Sequence, residues 1–281
     1  MTLEASSARQ GVACPTHEPL VSVLYTSANT VVPDVGRLME LTHFRQHLAT
    51  ERETLLKVNI SWQHYYPGCS TSPWQLDGVI QALRGAGYND LTPVQNGTVV
   101  VDSHDGEKGN KHDRVLARHG LKSVHLQDRG ARWVPYAPRG EILVLNDIFP
   151  DGIEIPEMFL GTNIVHLPTL KTHVFTTMTG AMKNAFGGLL NNRRHWTHSV
   201  IHDTLCDLLM IQKEIHSGIF AVMDGTFAGD GPGPRCMIPH VKNVLLASNR
   251  QVERVTVMRR SPRSAARSAG SGTACRPSPA P

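Results

Sequence analysis

The densest set of reactive side chains lies in residues 166–198, HLPTLKTHVFTTMTGAMKNAFGGLLNNRRHWTH. Lysine and histidine are the types that can hold an anion or move a proton near neutral pH. An apolar strand predicted over 163–166 precedes the stretch. That puts Lys171 and His173 just beyond its carboxyl end, where open α/β sheets bind ligands. Thr176, Thr177 and Thr179 add hydroxyls. Gly180 would allow close backbone approach, and a helix opening near Thr179 would offer free N–H groups to an anion. Lys183 and Asn184 then fall one turn further in. Val174, Phe175, Met178, Met182, Ala185 and Phe186 frame these groups, so a mostly buried setting is expected. A buried lysine needs an anionic partner or a shifted pKa. The competing expectation is a solvated loop whose lysines and threonines do no chemistry.

Three further groups could join this centre. Lys57 and Asn59 sit at the end of a predicted strand (54–60), with Ser70, Thr71 and Ser72 at the next helix start; for Ser72 a plain N-cap is the alternative. Asp224 closes a predicted strand over 219–223 and precedes the glycine-rich run GDGPGP (229–234), so it could orient a ligand or a lysine, or merely make an Asx turn. His173, His195 and His198 could supply imidazoles to a metal or to proton transfer; of these, His173 and His198 are the candidate metal ligands. His202, Asp203 and Asp207 read as solvated positions of a helix.

Positioning such residues requires an alternation of strands and helices. Strands are expected at 21–26, 54–60, 98–102, 123–127, 141–145, 163–166, 219–223 and 243–247. Helices are expected at 34–48, at 74–84 behind the Ser72-Pro73 start signal, and after Ser199 as cap. Strand, capped loop and helix in succession predict an α/β fold with a mostly parallel sheet flanked by helices. One α/β domain is expected over 20–248, after a loose leader (1–19).

From Arg250 the sequence turns to Arg, Ser, Ala and Pro and is expected to be disordered. The chain carries a formal charge of +4, but residues 250–281 hold seven Arg against Glu253, so the rest is slightly acidic. That distribution argues against a nucleic-acid partner, which needs basic groups gathered on a folded face. No run is long and apolar enough to suggest a membrane span, and the N-terminus lacks the apolar core of a secretory signal, so a cytoplasmic protein is expected. The five cysteines (14, 69, 206, 236, 275) form no CxxC pair and read as free thiols.

KVNI (57–60), STSPWQLDGVIQAL (70–83), LPTLKTHVFTTMTGAMKNAFGG (167–188) and AVMDGTFAGDGPGP (221–234) resemble the family catalogued as domain of unknown function 362. The resemblance covers roughly residues 20–248. It implies an α/β fold of unassigned chemistry and, by position, a site drawn from Lys57, Asn59, Lys171, His173, Thr179, Gly180, Lys183, Asn184 and Asp224. Relatives are often described as iron–sulphur-centre proteins; this chain has no matching cysteine cluster. The spacing of His173, Lys183 and His198 is also similar to that of the nickel-pincer lactate racemases, which would imply a metal at the two histidines. After about residue 248 the chain departs from the family, whose last strand leads into an aspartate-containing helix; SNRQVERVTVMRRSPRS stands there instead, as a shifted reading frame would produce.

The expectation is therefore an enzyme acting on a small anionic molecule, carboxylate or phosphate. Lys57, Asn59, Lys171, Thr179, Gly180 and Asn184 would bind, and His173, Lys183 and Asp224 would act. The alternatives are an iron–sulphur- or metal-associated redox protein with a redox partner protein, or a non-catalytic ligand-binding module. No cofactor is named by the residues themselves.

Overall fold

A computed structural model describes residues 19–98 and 100–251. All of the expected leader but Pro19, and the tail beyond Gln251, lie outside the described residues. In chain order the elements are β1 (Val21–Tyr25), α1 (Val31–Leu41), β2 (Thr54–Val58), α2 (Pro73–Gly85), β3 (Leu91–Gln95), α3 (Ser103–Gly109), α4 (His112–Arg118), β4 (Val124–His125) and β5 (Trp133–Tyr136). Then follow α5 (Leu145–Ile148), β6 (Ile153–Pro156), β7 (Asn163–Leu167), β8 (Thr169–His173), β9 (Thr177–Thr179), α6 (Ala181–Leu189), α7 (Ile201–Ile215), β10 (Gly218–Asp230) and β11 (Ile238–Ser248).

The main sheet runs β1-β11-β10-β7-β2-β3-β4, with β8 against β10 and β9 against β8; β5 and β6 form a separate antiparallel pair. β10, β7, β2, β3 and β4 are parallel to one another, while β1 and β11 pair antiparallel at one edge. β2 (TLLKV) and β7 (NIVHL) are buried at every position, as strands covered on both faces must be. Leu38, Leu76, Val79, Ile80 and Leu83 from α1 and α2 pack one face. Phe186 and Leu189 from α6, with Leu205, Leu208 and Ile211 from α7, pack the other. The sheet is thus mostly parallel and flanked by helices.

Several local expectations change. Residues 98 and 100–102 are not a strand: Asp102 caps α3, its carboxylate accepting the His104 and Asp105 N–H groups at 2.9 and 3.0 Å. The strand lies earlier, at β3, where Pro93 is tolerated because the ladder with β4 reaches only Val94 and Gln95. Residues 141–144 are a loop, and Ser199 caps nothing: residues 192–200 form a 3₁₀ helix and α7 begins at Ile201 without a side-chain cap. Ser72 does cap α2, in a reciprocal box with Gln75. Gln75 also reaches the Pro168 and Val222 carbonyls at 3.1 and 2.8 Å, tying the helix to the sheet.

Asp207, read from sequence as solvated, is buried and accepts the Leu143, Val144 and Leu145 N–H groups at 2.8, 3.0 and 3.0 Å. One carboxylate therefore anchors the loop that replaces the expected strand. Asp207→Ala leaves three backbone donors without their carboxylate, one of them buried and two half-buried, and chemical denaturation should show a loss of about 3 kcal/mol; a loss within about 0.5 kcal/mol would remove this role for the carboxylate.

Candidate functional site

Two chain segments meet at the carboxyl edge of the parallel sheet. β2 ends at Val58 and hands over to Asn59, Ile60 and Ser61. β7 passes through Pro168 into β8, which turns back as β9 (Lys171 opposite Thr179, His173 opposite Thr177) before α6 begins. The Asn184 amide on α6 donates to the Lys57 carbonyl at 2.7 Å, locking helix to strand end. The Lys57 side chain lies across α6 at Gly188, where a Cβ would come within 2.7 Å of Lys57 Cε. Gly229 closes the other side: a Cβ there would meet the Gly68 carbonyl at 2.6 Å and Lys171 Cβ at 3.0 Å.

Between these segments lies a cavity of about 280 Å³. Its wall carries Lys57, Lys183, Arg194 and Arg235, together with His173, His195 and His198, and no Asp or Glu. α6 opens beside it from Gly180 with no side-chain cap, so its first N–H groups add positive potential.

The cationic groups differ in how they are held. Lys57 is buried and donates to the Val58 carbonyl at 2.6 Å and Gln95 Oε1 at 3.0 Å. Burial, then the Arg194 and Lys183 charges, push its pKa down to about 7. Lys171 is ringed by oxygens: Ser61 Oγ at 2.5 Å, the Pro234 carbonyl at 3.3 Å, Asn59 Oδ1 at 3.4 Å and the Cys69 carbonyl. Burial, with Lys183 repulsion, also takes it to about 7. Lys183 lies 4.2 Å from the Phe186 ring centroid and has no hydrogen bond or ion pair among the described residues; burial and Arg194 bring it to about 8. Arg194 donates to the Asn191 carbonyl at 3.1 Å and to the Gly97 carbonyl, and burial lowers it to about 10.

His173 Nδ1 accepts the Phe175 N–H at 3.1 Å, so the proton of the neutral ring sits on Nε2. Burial and the Lys183 and Lys171 charges hold its pKa at about 3. In the ligand-free chain His173 is therefore a neutral imidazole at pH 7, and the groups whose pKa values fall nearest neutrality are the lysines.

The expected site residues do not all share this cavity. Lys57, Asn59, His173, Thr179, Lys183, Asn184 and His198 line it. Lys171 stands behind the wall, reaching it through Asn59 and Ser61. Asp224 is elsewhere. It faces a small cleft with Tyr65, Trp74 and Phe227, accepts Trp74 Nε1–H at 3.0 Å and the Thr226 N–H at 2.7 Å, and orients none of the lysines. Gly180 is not among the residues lining the cavity; its φ of −141° is ordinary extended backbone, with only Met223 near its missing side chain. Thr71 and Ser70 brace the Asn59–Ser61 turn: Thr71 Oγ1 accepts the Asn59 N–H and donates to the Leu167 carbonyl, and Ser70 Oγ accepts the Ser61 N–H.

His173 and His198 both contact the Phe175 ring, but their Nδ1 atoms are committed to the Phe175 N–H and the His195 carbonyl. Among the described residues no group of three or more His, Cys, Asp or Glu is placed to hold a metal ion. Cys69 is buried, while Cys206 and Cys236 are exposed.

Sequence reasoning missed Arg194, Arg235 and Gln95. Arg194 stood in the RRH run beside two noted histidines, and that proximity was the available signal. Gln95 ends a strand that its proline concealed.

A sheet of this topology with a ligand-sized cavity at its carboxyl edge defines an α/β protein of the open-sheet class. The chain belongs to the domain of unknown function 362 family, whose model matches residues 54–254. No curated protein matches it. A protein from Thermotoga maritima known from its crystal structure is similar in fold: TM-score 0.50 at 12% identity, over 83% of this chain and 57% of that one. This chain therefore spans a little over half of that protein's length. No helix among the described residues is long and apolar enough to cross a membrane.

The lowered lysine pKa values have a consequence for stability. Between pH 7 and 10 the unfolded chain keeps protons on Lys57 and Lys171 that the folded chain has released, so stability rises with pH in that window. Each group contributes up to about 1.4 kcal/mol per pH unit. Denaturation midpoints of the ligand-free protein measured from pH 6.5 to 9.5 should climb; a flat or falling series would show that these amines are not desolvated.

Proposed function

We propose that this chain binds a small anionic molecule, a carboxylate or phosphate, in the cavity at the end of β2 and β8, and acts on it as an enzyme. The observation that carries the reading is the wall itself: two lysines, two arginines and three histidines with no carboxylate among them. Buried like charges repel, and a buried cation normally has a counter-charge. An anion entering the cavity would supply one, and would restore the lysines to their charged forms. Arg194 and the Lys57 ammonium would grip it, His173 Nε2–H would donate to it, and the α6 terminus would add its dipole. Lysines poised near pH 7–8 are matched to proton transfer or nucleophilic attack at neutral pH, which favours an enzyme over a passive binding module.

The test uses inorganic phosphate as probe. At pH 7 it should raise the melting temperature in a saturable way, and Arg194→Met should weaken the apparent affinity by roughly ten- to a hundredfold, as loss of a charged hydrogen-bonding partner does. Calorimetry in buffers of different ionisation enthalpy should show net proton uptake on binding at pH 7.5, because the anion raises the lysine pKa values. Absence of both saturable stabilisation and proton uptake, for phosphate and for small dicarboxylates, would remove the anion reading.

A further inference from the structure

Three lysines gather at this edge of the sheet, and their amines are not equivalent. Lys171 is saturated by four oxygen acceptors, which makes it a brace between the Asn59–Ser61 turn, Cys69 and Pro234. Lys57 spends two of its three donors on Val58 and Gln95, leaving one directed elsewhere. Lys183 alone spends none: its amine rests on the face of Phe186, in the cavity wall, with no oxygen partner among the described residues. An amine buried in a cavity wall, next to other cations and away from any carboxylate, is the arrangement that keeps a lysine unprotonated and nucleophilic.

We propose that Lys183 is an imine-forming lysine, and that the anion the cavity takes is a small oxo acid, whose carbonyl carbon the Lys183 amine attacks while its carboxylate lies against Arg194. This rests on the anion-binding reading above and names the class of molecule. Lys183 titrates at about 8 and Lys57 at about 7, so near neutrality a fraction of Lys183 is free base while Lys57 can still give a proton. The neutral amine adds to the C=O bond and yields a carbinolamine after proton transfer from nitrogen to oxygen. The uncommitted N–H of the Lys57 ammonium then protonates the carbinolamine hydroxyl. The C–O bond breaks, water leaves, and the nitrogen lone pair forms the C=N bond of a protonated imine. No oxidant or reductant is consumed. Asn184, tied to the Lys57 carbonyl, is a positioning residue that keeps the Lys183 turn of α6 against β2.

The experiment is reductive trapping of the full chain with pyruvate and sodium cyanoborohydride near pH 7.5, read by intact mass and peptide mapping. A matched reaction uses acetone, which has the carbonyl but no charge, and a third contains pyruvate with excess inorganic phosphate. The expected result is one adduct per chain at Lys183, formed at least tenfold faster with pyruvate than with acetone and suppressed by phosphate. Lys183→Arg, which keeps the charge but not the nucleophile, should lose the adduct yet still be stabilised by phosphate. Should pyruvate label only exposed lysines while phosphate still stabilises the protein, the imine proposal is overturned and the anion reading survives. Equal labelling of Lys183 by acetone and pyruvate, without phosphate competition, would instead overturn the anion reading and the oxo-acid class with it. Lys57→Gln should slow trapping by about tenfold or more and leave the adduct at Lys183; an unchanged rate would overturn its part as proton donor.

Discussion

The burial of several cations in one cluster is the constraint on which the rest of this site depends. Each ammonium or guanidinium taken out of water loses hydration worth several kcal/mol, and like charges close together add to that loss. Lys57, Lys171 and Arg194 are all under a tenth exposed. The fold answers with neutral oxygen acceptors: four around Lys171, two each for Lys57 and Arg194. Hydrogen bonds of that kind offset part of the desolvation but leave the net charge in place. The residual cost appears in the lysines themselves, whose pKa values are lowered by burial and by neighbouring cations.

This account explains why so much of the surrounding chain serves as scaffolding. Thr71 joins the Asn59 turn to the end of β7, Asn184 joins α6 to the end of β2, and Gly188 and Gly229 make room for the lysine stems. Filling either glycine position would force backbone or lysine to move. Each contact holds a short irregular segment just past the carboxyl end of a parallel strand, where the ladder has run out. Precise placement of charged groups on loops requires such bracing, because loops have no repeating hydrogen-bond pattern of their own.

Asp224 illustrates how a shared sheet edge differs from a shared site. β10 continues to Asp230, well past the strand ends that border the cavity, and bulges between Gly225 and Phe227. Ahead of that bulge, Asp224 contacts Trp74 and Ser72 at the start of α2 instead of the lysines. Its carboxyl is buried and its pKa is raised by that burial, against hydrogen bonds from Ser72, Thr226 and Trp74. The nearest carboxylate in sequence logic thus serves another corner, and the cavity keeps its uncompensated charge.

The sequence alone determined the α/β alternation, the capping of α2 by Ser72, and the concentration of lysine, histidine and threonine side chains around Lys171–Asn184, because each is written in local periodicity or local composition. It was also enough for the family. It misplaced strands at 98–102 and 141–145, where β-rich composition lost to an aspartate cap at Asp102 and to the Asp207 carboxylate more than 60 residues away. Only tertiary structure decided that Lys171 is a brace while Lys183 is free, that Asp224 faces a different cleft, and that Arg194 and Arg235 join the wall. Those outcomes depend on which oxygen atoms surround each charge, and the atoms come from strands and loops distant in the chain. Residue type records that a lysine is present; its acceptors, burial and neighbouring charges are properties of the packed chain.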